Sequence, residues 1–545
     1  MIESHVDQRE LEAIKARYGI GGRTAGPGPF PIVLIKPSHY DSDGYVIQWW
    51  RPGPSTDTLA RLRDLFDKFR QRKALGDAVH LEVRTIEEES TRVRTDRLAR
   101  ELRDGKGLVV LTGVQSRQFP RAMDLALPLR VTGVHVCMGG FHIARSLTAA
   151  GGVTPELQEA MNLGVSLYAG EVEEDRLERV LRDAWRGELK PLYNYLGDTP
   201  AGERAPEPLL GPNPVRGMIG IPAGLDATRR HPQQQSVSTL VVVPHQEPRR
   251  RTPDELDRLI REHVDRGAVR FFIADDNLAE HPGWEQIFDR LIAMREQQKL
   301  NIELTVQVDT CCNRRPGFIE KAGRAGVRRV FIGIERLSAG SPGAETQCCL
   351  AEYQSMLLEW KRAGVIVFAG YVFGFPGDTR QSVLDDIRTI QQELAVDLLE
   401  PYCLATLPRA ESQAHQNGAD AAMTAAEGEP LCLDAWRGYY TLEHMETVLR
   451  RAAGTGVDLH QLTALLRWFH FCVVYEKVDP LQGGWLRRKH RTDRRATMAK
   501  EKFFRFYFRY AAELLYKQVK MAQVSRRLRA LANRLERQRG ASPGS

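Results

Sequence analysis

The chain has 545 residues, 42% of them hydrophobic and 27% charged, an ordinary balance for a globular protein but too long for one core. No apolar run approaches the roughly 18 residues that a membrane-spanning helix needs, so the sequence does not read as a transmembrane protein. Its net charge of +7 joins two unlike parts: residues 486–540 hold 18 Lys/Arg against 4 Asp/Glu, and the remainder holds 59 against 66.

The opening Met-Ile-Glu-Ser-His-Val-Asp-Gln is polar and acidic, unlike a signal peptide, and a cytoplasmic location is expected. None of the eight cysteines falls in a C-x-x-C spacing. The adjacent pairs Cys311-Cys312 and Cys348-Cys349 suit one tetrahedral metal poorly, because neighbouring side chains on a strand point to opposite faces. Free thiols of a reducing compartment are the expectation.

Residues 1–30 form an N-terminal extension ending in a Gly/Pro-rich stretch. Residues 31–190 alternate apolar strands (31–36, 79–86, 107–114, 134–138, 166–170) with helical spacing, which predicts a Rossmann-like, flavodoxin-like parallel sheet. Residues 191–225 read as a linker. Residues 226–412 repeat a strand–helix unit six times, with strands near 236–243, 269–275, 301–309, 327–335, 365–374 and 396–404. That is the pattern of a (β/α)6 partial TIM barrel, an α/β fold with its chemistry at the C-terminal strand ends. Residues 413–545 read as an Ala-rich linker and a basic helical C-terminal region, with helices near 441–453, 459–474 and 501–538.

Several strings, in this order, carry a resemblance: Ile35-Lys36-Pro37-Ser38-His39-Tyr40-Asp41, Gly113-Val114-Gln115-Ser116-Arg117, Gly139-Gly140-Phe141-His142, Ala274-Asp275-Asp276-Asn277, Gln307-Val308-Asp309-Thr310, Phe331-Ile332-Gly333-Ile334-Glu335 and Gly370-Tyr371-Val372-Phe373-Gly374-Phe375-Pro376. Together they resemble the cobalamin (B12)-binding radical S-adenosylmethionine (SAM) proteins. The resemblance implies a first domain that holds cobalamin, with His39, Thr112, Gly113, Gly139 and Gly140 around the cofactor. The usual cobalamin signature D-x-H-x-x-G is absent. It also implies SAM contacts from Asp275, Asp276, Asn277, Gln307, Asp309, Glu335 and Gly374. Bland roles compete: a helix N-cap for Asp275 and Asp276, a backbone hydrogen bond for His39.

In that family three cysteines in C-x-x-x-C-x-x-C hold a [4Fe–4S] cluster and leave one iron for SAM. The matching positions here are His231, Gln235 and Ser238. One imidazole, a neutral amide and a hydroxyl do not replace three soft anionic thiolates. The resemblance therefore points to a divergent member without the cluster. Cys311, Cys312 and Cys403 stand near the barrel mouth, but a cluster rebuilt from them needs a different geometry.

The basic C-terminal region interleaves cations with aromatics from Lys502 to Tyr510. Such a stretch suits an anionic membrane surface better than nucleic acid, giving a peripheral association. The plainer expectation is an amphipathic helix that packs its aromatic face inward and solvates its charges. Three readings stand: a degenerate family member that still binds cobalamin or SAM, a methyltransferase working by polar chemistry, and an interaction protein recruited by its basic tail.

Overall fold

In a computed structural model the described residues are 25–52, 58–103, 105–149, 151–196, 223–225, 252–265, 269–273, 277–334, 350–375, 377–403, 423 and 425–541. The chain divides into two compact units, Met1–Leu210 with Gly484–Ala512, and Gly211–Gly483 with Glu513–Ser545.

The first unit is built on strands β1 (Gly28–Lys36), β2 (Gln48–Pro52), β3 (Val79–Glu87), β4 (Leu108–Leu111), β5 (His135–Gly139), β6 (Ser166–Ala169) and β7 (Leu192–Asn194). Six of these form a parallel sheet in the order β3-β1-β4-β5-β6-β7. Period-two alternation divides β1 between two cores. Val33 and Ile35 pack with α2 (Thr95–Leu102) and α3 (Phe119–Val131), and with α4 (Phe141–Ala149) and α5 (Pro155–Asn162). Phe30, Ile32 and Leu34 face Leu62, Leu65, Phe66 and Phe69 of α1 (Thr58–Gln71) and Leu177 and Leu181 of α6 (Glu174–Arg186). Helices thus cover both faces, and each fully buried Leu or Phe contributes about 1.5–3 kcal/mol. This is the doubly wound, flavodoxin-like arrangement expected for residues 31–190, and its strand order reverses between β1 and β4.

In the second unit β8 (Ala223–Leu225), β9 (Arg270–Ile273), β10 (Glu303–Val308), β11 (Val327–Ile334), β12 (Ile366–Phe373) and β13 (Leu398–Cys403) pair in unbroken sequence order, all parallel. Consecutive right-handed crossovers put their helices on one face, as in a partial barrel. These are α7 (Pro253–Val264), α8 (Trp284–Glu296), α9 (Phe318–Ala325), α10 (Leu350–Arg362) and α11 (Arg380–Glu393). The helix-facing positions are fully buried: Val306 and Val308, Val330 and Ile332, and Tyr371, whose hydroxyl donates to Asp386 of α11 at 2.8 Å. Their neighbours Thr305, Gln307, Phe331, Phe368 and Tyr402 are half-buried on the opposite face.

Three sequence expectations change. The edge strand is Ala223–Leu225, inside the expected linker, with Ala223 opposite Phe271; residues 236–243 lie outside the described residues. A helix, α12 (Ala425–Tyr439), begins inside the expected Ala-rich linker and carries Gly428 and Pro430, both poor helix formers. Tertiary contacts override that propensity: the Tyr439 hydroxyl donates to Val396 O at 3.0 Å, and the neighbouring Tyr440 hydroxyl to Leu399 O at 3.0 Å. The later helices α13 (Leu442–Ala453), α14 (Leu459–His470) and α15 (Phe503–Ala541) fall where the apolar spacing places them. Between them β14 (Gly484–Arg488) pairs antiparallel with β2 of the first unit, Gly484 opposite Pro52.

This last pairing absorbs much of the basic stretch. Arg487 is buried, 3.0 Å from Asp41 and stacked on Trp49. Arg488 lies over Trp50, Arg494 lies over Tyr45, and Arg491 donates to Glu501 O at 3.0 Å. The expected inward aromatic face of α15 is also corrected: Phe506 is buried, but Phe503, Phe504, Tyr507 and Phe508 are exposed.

Candidate functional site

In doubly wound sheets ligands settle outside the carboxyl strand ends where the order reverses, here after β1 and β4. Ile35 sits opposite Leu111, so the loops beginning at Lys36 and Thr112 leave the sheet side by side. Thr112 is buried and its N–H donates to Ile35 O at 2.8 Å. Gly113 turns the chain at φ +66°, and a Cβ there would meet only Thr58 Cγ2, at 4.0 Å. The loop after β1 is held from β3: the Ser38 N–H donates to Glu88 at 3.0 Å, and Glu88 is fully buried against Arg121 at 2.6 Å.

His39 stands in that loop and is buried. Its carbonyl accepts from Ile47 N at 2.8 Å, while its ring Nδ1 has no hydrogen-bond partner among the described residues. Burial, helped by the charges of Arg487, Arg117 and Lys36, lowers its pKa to about 3. The ring is therefore neutral at any ordinary pH, the form in which imidazole binds metals.

Gly139 and Gly140 end β5. Val114 N–H donates to Gly139 O at 3.2 Å and Val114 O accepts from His142 N at 2.9 Å. A Cβ at Gly140 would fall 2.2 Å from Val114 N, so this glycine serves the fit between two loops. At Gly139 a Cβ would meet Tyr168 at an ordinary 3.4 Å.

In the second unit Asn277 and Asp309 join the ends of β9 and β10. The Asn277 amide donates to Asp309 at 2.8 Å, Asp309 N–H donates back at 3.1 Å, and the other Asp309 oxygen accepts from Cys311 N at 2.9 Å. Both carboxylate oxygens are thus engaged within the protein. Gln307 lies on the face opposite α7–α11, and Gly374, at φ +94°, begins a turn in which Asp378 accepts from Gly374 N at 2.7 Å and Phe375 N at 2.9 Å. The expected positions Asp275, Asp276 and Glu335 lie outside the described residues, as do His231, Gln235 and Ser238.

Sequence reasoning overlooked two groups. Arg487 reaches the His39 loop only through the β14–β2 pairing, which has no local signature. Glu400, on β13, is buried beside Tyr402 and Asp479. Burial first, then the neighbouring Asp479 carboxylate, raises its pKa well above the ordinary value and so favours the protonated acid. A lone Glu in an apolar strand is the signal that could have found it. Cys312 is buried and its thiol is pushed up to about 12, chiefly by burial. Among the described residues no three His, Cys, Asp or Glu side chains gather as a metal site.

No family model and no curated protein matches the chain. Among solved structures it is similar to the radical SAM methyltransferase TsrM from Kitasatospora setae with tryptophan substrate and a SAM analogue bound: 11% identity, TM-score 0.46, covering 68% of this chain and 72% of that one. The same enzyme with cobalamin and a [4Fe–4S] cluster bound gives 12%, 0.46, 72% and 82%. Archaeal Elp3 from Methanocaldococcus infernus gives 14% identity and a TM-score of 0.25 over 34% of this chain and 48% of that one. The α/β architecture rests on the two strand orders.

Proposed function

We propose that this is a cobalamin-binding protein of the radical SAM kind, with the corrinoid held by the first unit and SAM by the strand ends of the second. The observation that carries the reading is His39: a buried, neutral imidazole with an unpartnered nitrogen, in a loop at the strand-order reversal. His39 would offer that nitrogen to cobalt, Thr112 and Gly113 would line the adjoining strand end, and Gly139 would border it. When bound, the corrinoid supplies a cobalt centre suited to methyl transfer. In the second unit the Gln307 side chain makes no hydrogen bond among the described residues, and the Asn277–Asp309 pair holds two strand ends in fixed register beside it.

At the cluster positions His231, Gln235 and Ser238 leave one plausible iron ligand of three, so the reading is of a chain without the [4Fe–4S] cluster and without reductive SAM cleavage. What remains is cofactor binding in a degenerate member, or polar methyl transfer.

The test is anaerobic incubation with iron, sulfide and hydroxocobalamin, then metal analysis and absorption spectra of the wild type and His39→Ala. Stoichiometric cobalt with no iron, and a spectrum altered by His39→Ala, is expected. About four irons per chain, the content of one [4Fe–4S] cluster, would overturn the cluster-free reading. Absence of cobalt would overturn the corrinoid reading. Methyl transfer from SAM to bound corrinoid would distinguish a working enzyme from a degenerate one.

A further inference from the structure

The described residues include fourteen large hydrophobics that are exposed, and eight of them lie between Met498 and Val519. The densest group opens α15: Phe503 is 56% exposed, Phe504 86% and Phe508 81%, with Tyr507 beside them. At about 100° per residue these four side chains span an arc of about 140°, and Phe506 and Tyr510 form the inward side. The inward anchoring is specific: Phe506 is buried against Tyr45 at 5.3 Å, and the Tyr510 hydroxyl donates to Arg487 O at 2.6 Å. The helix is therefore held with its aromatic ridge outward.

Cations flank the ridge. Lys500, Lys502 and Arg505 are exposed, and none makes an ion pair among the described residues. They differ from Arg487, Arg494 and Arg509, whose charges meet Asp41, Glu501 or Asp43. An exposed apolar cluster of this kind marks an interaction surface. Pairing the ridge with a second copy would bring two sets of unneutralised cations together, which opposes self-association. An anionic lipid surface instead receives the phenyl rings below its headgroups and neutralises the cations.

We propose that Phe503, Phe504, Tyr507 and Phe508, with Lys500, Lys502 and Arg505, form a peripheral docking site for anionic phospholipid membranes. It is independent of the cofactor reading above.

The full chain is sedimented with vesicles of equimolar phosphatidylglycerol and phosphatidylcholine, and with phosphatidylcholine alone. Binding to the first and not the second is expected. Phe504→Gln/Phe508→Gln should weaken binding at least about tenfold, and Lys500→Gln/Lys502→Gln/Arg505→Gln should weaken it similarly and remove its salt dependence. All five positions are exposed, and unchanged thermal unfolding of both variants shows that folding is intact. Equal sedimentation of wild type and variants would overturn the proposal. So would a solution dimer dispersed by Phe504→Gln/Phe508→Gln, or binding to an oligothymidylate without binding to vesicles.

Discussion

The backbone of Val114 fills the space that a side chain at Gly140 would need, 2.2 Å from the Cβ position to Val114 N. The clash is with backbone atoms, so no rotamer change relieves it. Gly140→Ala should destabilise the first unit by about 3 kcal/mol or more. A urea titration of the full chain followed by near-ultraviolet circular dichroism checks this; unchanged unfolding would mean the loops can part at little cost.

Asn277→Ala should lower stability by about 1–3 kcal/mol, because it leaves both an Asp309 oxygen and the Asp309 N–H without their partners. Asp309→Asn keeps the shape but reverses one donor and should cost less. Thermal unfolding of the two variants gives the order, and equal losses would count against a shared pair.

Acid should destabilise the protein through its buried histidines. His39 is held near pKa 3, His135 near 4 and His444 near 4, each by burial first, against an ordinary value of 6.5. The unfolded chain binds more protons than the folded one between these values. Stability is then fully present above about pH 6.5 and is lost as pH falls through the window, by at most about 1.4 kcal/mol per pH unit per histidine. Chemical unfolding at pH 5 and pH 7 measures the slope, and His39→Gln should flatten it.

Glu400 has the opposite sign. Its raised pKa means that its stabilising share is present at low pH and fades as pH rises toward the folded-state value. Glu400→Gln, which mimics the protonated acid, should leave stability nearly unchanged at pH 5 and raise it relative to the wild type at pH 8. A variant equally destabilised at both pH values would show that Glu400 is held ionised.

Lys361 forms a buried ion pair with Asp397, which also accepts from Val367 N at 2.8 Å. Lys361→Met should cost about 3–5 kcal/mol by leaving that carboxylate without its cation. The double variant Lys361→Met/Asp397→Asn should recover part of the loss in thermal unfolding.

Both sheets were legible because their strands are short apolar runs separated by helical spacing, as in Val109–Leu111 or Val330–Ile334. The edge strand Ala223–Leu225 was not, since Ala-Gly-Leu between Pro222 and Asp226 is too short to carry a period. The start of the helix Ala425–Tyr439 was hidden by the small, polar, Ala-rich composition that reads as a linker, and the packing of Trp436 and Tyr439 shows why it forms. At the candidate site, His39 and Gly113 were readable through their place after apolar strands. Gly140 was readable as a glycine but not as one facing Val114. Arg487 and Asp41, 446 positions apart, had no signal at all.

That separation has a kinetic side. Tyr45 and Trp49 are covered by residues from the returning segment: Phe506 lies tilted against Tyr45, and Gly484 leaves only 2.1 Å between its would-be Cβ and the Trp49 ring. On the ribosome, the loop that carries His39 therefore remains without its last wall until the segment from Gly484 to Phe506 has emerged. Completion of the first unit therefore waits for a segment synthesised more than four hundred residues after the loop it covers.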